Sequence, residues 1–163
     1  MTETQSAEFP SGIIDMRPDV VVRVAILGLG LGIGVWLLGF LFNRFLIEPV
    51  FCANQASGGI CGNTEDVAGN IALVIGAIGG VLGLVRLSVY RPMLVAIAVA
   101  ICLWGLNGWL SGLVWYEALG WTALIYMVAY AAFAWLVRPR NFFAVIVLLL
   151  LLIVAARFFV SVP

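Results

Sequence analysis

VAGNIALVIGAIGGVLGLVRLSVY, residues 67–90, contains no acidic residue, and its one basic side chain is Arg86. A helix needs roughly 20 predominantly apolar residues to cross about 30 Å of hydrocarbon. This stretch has that length, and it stops at Arg91-Pro92, since a proline just past a helix end cannot continue it. Within it Gly69, Ala72, Gly76, Gly79 and Gly83 recur at spacings of three and four, which puts them on one helix face. Lipid supplies no hydrophobic drive between helices, so close backbone approach across small residues is what holds such a face to a neighbour.

The same reading extends in both directions. Apolar segments of spanning length cover residues 20–42, 93–115, 118–137 and 142–160. Over the whole chain of 163 residues, 64% are apolar and only 10% charged, against about 45–50% and about 25% in soluble domains. A water-soluble fold of this size leaves too much area exposed to hide that surface. The fold class is therefore an all-α, polytopic transmembrane bundle of five spans. Residues 1–19 form a polar tail and residues 48–66 the one extended loop. Four crossings, with the last segment lying in the interface, is the alternative count.

Orientation follows from arginine, the only basic residue type present. With the N-terminus inside, Arg17, Arg23, Arg86, Arg91, Arg138 and Arg140 fall at cytoplasmic ends, and Arg44 and Arg157 at outer ends. Basic residues are retained on the cytoplasmic side, so the N-terminus is expected in and the C-terminus out. The localisation expected is a plasma membrane, of the bacterial inner-membrane kind. The loop then lies outside, where disulfides persist. It holds Cys52 and Cys61. A bond between them would close a ring of about ten residues and stabilise the loop by ~2–3 kcal/mol, leaving Cys102 as a thiol. In size and helix count the chain resembles membrane thiol oxidases, but their C-x-x-C motif is absent.

Glycine spacing continues in the first segment with Gly28 and Gly32, and in the third with Gly105, Gly108 and Gly112. Packing among the first three helices is the expected use of these faces; a homo-oligomer or a membrane-protein partner is the alternative. Gly79 to Arg86 resembles the glycine–arginine stretch of small bacterial fluoride channels, whose Thr/Asn helix motif and Thr-Thr-Phe-Ser segment this sequence lacks.

Polar groups inside or beside spans are costly and mark candidate sites. Here they are Asn107, Arg86, Arg44, Glu117 and Arg157. Arg44 has Glu48 four residues on as a helical partner. Glu117 is expected to contact Arg44 or Arg157, and two arginines around one carboxylate would suit an anionic headgroup or small anion. There is no histidine, no paired-carboxylate motif and no metal-ligand set, so no cofactor or metal is expected. Zero net charge points to no nucleic-acid partner. Among functions, a non-enzymatic scaffold, accessory or assembly subunit in the lipid bilayer leads. A small channel or transporter comes second and a thiol-disulfide oxidoreductase third.

Overall fold

The computed structural model describes residues 18–52, 64–89 and 91–137, and beyond these 143, 146, 147 and 150–154. The expected tail and most of the loop, with Cys61, Arg138, Arg140 and Arg157, lie outside the described residues. Regular structure among the described residues is helical throughout: α1 (Pro18–Phe42), a π-helical turn (Asn43–Ile47), α2 (Glu48–Phe51), α3 (Thr64–Arg86), α4 (Pro92–Cys102), α5 (Leu106–Leu110) and α6 (Trp115–Leu136). Three helices are long and apolar enough to cross a membrane: Asp19–Val50, Thr64–Arg86 and Trp115–Leu136.

The first helix outruns its expected end at residue 42, and Pro49 explains how. In a regular α-helix the proline ring would collide with the carbonyl of Phe45, four residues back. The chain widens instead into a π-turn, in which the Glu48 N–H donates to the Asn43 carbonyl, and helical geometry resumes in α2.

α3 ends earlier than the apolar run suggests. Ser88 takes a left-handed conformation, φ 54°. The Ser88 N–H donates to the Val85 carbonyl at 3.0 Å and the Val89 N–H to the Leu84 carbonyl at 3.1 Å. This is a Schellman cap with serine where glycine is usual, and Val89 and Leu84 are both buried beneath it. Ser88→Gly removes the steric cost of the left-handed residue. It is expected to raise stability by about 0.5–1 kcal/mol, read as a higher melting temperature in mild detergent.

The third apolar segment is not one helix. α4 has 11 residues, about 16 Å of rise, too few to cross by itself. Gly105, at φ 83°, and Gly112, at φ 100°, bracket the short α5. Neither conformation belongs to a right-handed helix, so the run expected over residues 93–115 breaks twice. In the last segment the described residues are helical, and Leu152 and Ile153 pack against the core.

α1 is the centre of the bundle, antiparallel to both α3 and α6. Leu27 meets Gly83, Leu31 meets Gly79, Val35 meets Gly76, and Gly39 meets Gly69 and Ala72. On another face Gly28 lies against Tyr126–Tyr130, and Gly32 against Thr122–Tyr126. α4 closes the bundle against α3 and α6. The core proper is built by Val24, Leu84, Val95, Val99, Tyr130 and Phe133, all at most 2% exposed.

The helices are inverted relative to a water-soluble fold. α3 buries Ala68, Gly69, Ala72, Gly76 and Gly80, whereas Ile78 and Leu82 are 60% and 63% exposed. α1 exposes Val22, Ile26 and Phe40, and α6 exposes Leu124, Val128 and Trp135. Small residues inside and large apolar ones outside is the arrangement that lipid, and not water, makes favourable.

Candidate functional site

At the end of the bundle where α1 finishes and α3 begins, the helices part around a cavity of about 250 Å³. Four separate stretches of chain build it. The last turns of α1 supply Trp36 and Phe40, with Asn43 just beyond them. The first turns of α3 supply Glu65 and Gly69. The broken segment supplies Asn107, Ser111 and Gly112, and α6 opens with Trp115 and Ala118.

The backbone break at Gly105 is what brings Asn107 here. α5 turns back over the start of α3, and the Asn107 side-chain amide rests directly on Gly69, where any Cβ would collide with it. Asn107 was expected mid-membrane on a continuous helix; it sits instead at the mouth of the bundle. Ser111 donates its hydroxyl to the Gly108 carbonyl at 2.7 Å. The Asp66 carboxylate flanks Gly108, and a Cβ there would lie 3.2 Å from Asp66 Oδ1. Trp36 and Phe40 stack in parallel, centroids 5.8 Å apart at 8°, and form an aromatic wall. Trp115 stands edge-on to Tyr116, its neighbour in the chain. Asn43 Oδ1 is buried with no hydrogen-bond partner, an arrangement with a cost of about 1–3 kcal/mol.

No family model, curated protein or solved structure matches this chain. The site has to be read from its own chemistry.

Arg44 pairs with Glu48 at 3.1 Å, both side chains more than half exposed, and it does not line the cavity. An exposed pair of this kind contributes roughly 0–1 kcal/mol. Glu117 is exposed in the first turn of α6. There a carboxylate is favoured by the helix dipole and by the free N–H groups of the first turn, so it needs no arginine. Its other candidate partner, Arg157, lies outside the described residues. Arg86 is exposed in the last turn of α3, at the opposite end, where a cation suits the dipole.

The candidate glycines divide by what they touch. Gly28 and Gly32 meet backbone of α6, while Gly76, Gly79 and Gly83 meet side chains of α1. Gly108 borders the cavity's acidic side. Gly112 touches nothing within 4 Å and serves the turn into α6. Gly80 and Tyr130 escaped the sequence reading. The tyrosine hydroxyl fills the space a Cβ on Gly80 would take, a pairing that only the folded bundle reveals. Among the described residues no three His, Cys, Asp or Glu side chains converge as metal ligands would.

Proposed function

We propose that this chain is a non-enzymatic, multi-pass integral membrane protein, inserted with its N-terminus in the cytoplasm and crossing five times. Its role is that of an accessory or assembly subunit. The observation that carries the reading is the closed, apolar interior beneath an apolar exterior. Apart from the tyrosine hydroxyls of Tyr126 and Tyr130, Thr122 is the one buried polar side chain among the described residues, and its hydroxyl donates to the Ala118 carbonyl one turn back at 2.7 Å. A conducting path needs several polar groups facing one cavity. The polar groups that line the cavity sit at one end of the bundle.

The test is reconstitution. Purified protein in sealed vesicles is expected to leave proton, sodium and potassium gradients intact. After extraction from its native membrane in mild detergent, it is expected to migrate with a distinct protein in fixed ratio. Gradient collapse that disappears with Asn107→Leu would replace this reading with a transport one.

The connection between α2 and α3 is proposed to be stapled by a Cys52–Cys61 bond. Cys52 caps α2, and Cys61 precedes the start of α3 by three residues. Cys102, half-buried in the last turn of α4, stays a thiol. Alkylation under denaturing conditions is expected to label one cysteine before reduction and all three after it. Three labelled cysteines before reduction would count against the bond and against an outside location for the loop.

A further inference from the structure

We propose that the cavity at the Asn43 end binds an organic ammonium group. This goes beyond the accessory role, resting on the cavity's own chemistry. Among the described residues its walls carry one ionisable side chain, the Glu65 carboxylate, and no basic one. Asp66 adds negative charge beside Gly108. An anion entering here would meet the Glu65 carboxylate in the wall and Asp66 beside Gly108.

A cation meets the opposite situation. Asn43 adds a polar side chain to the wall, with its Oδ1 buried behind the cavity surface. The Ser111 hydroxyl has spent its proton on the Gly108 carbonyl, so towards the cavity it can only accept. Glu65 supplies the charge. The stacked Trp36–Phe40 pair and Trp115 supply aromatic faces, and a cation over such a face gains about 0.5–2 kcal/mol. Carboxylate, hydroxyl acceptor and aromatic wall together match an N–H-bearing alkylammonium group better than a hydrated metal ion, which has no use for aromatic carbon. At about 250 Å³ the cavity falls below the roughly 300–1,000 Å³ of drug-sized pockets. It admits a headgroup-sized cation and no more. Two sources offer that group: a free small amine, or the ethanolamine head of a membrane lipid.

The experiment uses the full chain in maltoside detergent, which carries no ammonium, with labelled ethanolamine in equilibrium dialysis. A parallel arm compares melting temperatures in nanodiscs of phosphatidylethanolamine and of phosphatidylglycerol. Saturable ethanolamine binding, weakened at least tenfold by Glu65→Gln but unchanged by Glu48→Gln, supports the proposal with a free amine as source. No binding of free ethanolamine, but a higher melting temperature in phosphatidylethanolamine that Glu65→Gln abolishes, supports it with lipid as source. Glu65 is exposed, so Glu65→Gln is expected to fold, and its melting temperature in detergent checks this. Absence of any Glu65-dependent effect in either arm, or binding of inorganic phosphate to the same cavity, overturns the proposal.

Discussion

Gly32→Leu is expected to prevent the bundle from assembling, while Gly30→Leu, two residues away on the same helix, leaves it folded. A Cβ on Gly32 would stand 2.7 Å from the Ala123 Cα and 3.0 Å from the Thr122 carbonyl oxygen. Both are backbone atoms, so no rotamer change on α6 relieves the clash and the two helices must separate. Gly28 repeats the contact one turn earlier, 2.8 Å from the Tyr126 carbonyl oxygen. Separation at either point strips contacts from Tyr126, Tyr130 and Phe133, the largest side chains of the core. Overpacking commonly costs about 1–3 kcal/mol, and a clash between backbones belongs at or above the top of that range. Gly30 meets nothing within 4 Å, and leucine is the better helix former by up to about 1 kcal/mol. Size-exclusion profiles in mild detergent separate the two outcomes: a monodisperse peak for Gly30→Leu, aggregate for Gly32→Leu. Equal behaviour of the two variants would mean that α1 does not pack on α6 through this face.

The second large effect is expected at Gly69. The Asn107 amide occupies the space of a Cβ there, so even Gly69→Ala should drive α5 off α3 and lower stability by about 1–3 kcal/mol. Asn107→Ala alone removes the obstacle at a smaller cost. The double substitution should recover most of the loss, a coupling of the kind seen only between residues in contact. Melting temperatures of the four proteins make the cycle. Additive losses would place Asn107 elsewhere, and with it the wall of the cavity.

The parts of this molecule that could be read from sequence are those where a long apolar run decides the matter alone. Residues 20–42, 67–90 and 118–137 each gave one helix to within a few residues, because backbone groups in lipid must bond within their own segment. The third run has the same composition yet breaks at Gly105 and Gly112. Glycines are common in membrane helices, so nothing local separates a turn glycine from the packing glycine at 76. The α3 face pointed at α1 could be seen because its small residues keep helical spacing. The partner of Gly28 and Gly32 could not, since their α6 complement is Ala123, Tyr126 and Tyr130, which have no such signature. The cavity draws Trp36, Asn43, Glu65, Asn107 and Trp115 from distant parts of the chain. No spacing or motif in the sequence joins them. The Arg44–Glu48 pair was legible because the two residues stand four apart on one helix face, whereas Arg157, a candidate partner of Glu117, lies outside the described residues.

The central claim is a five-crossing chain with its ends on opposite sides of the membrane, and its most direct test is a pair of terminal fusions. A fluorescent protein that folds only in the cytoplasm, joined ahead of Met1, should fluoresce. Alkaline phosphatase, active only outside, should be active when joined after Pro163. Both termini reporting the same side would contradict the five-crossing topology.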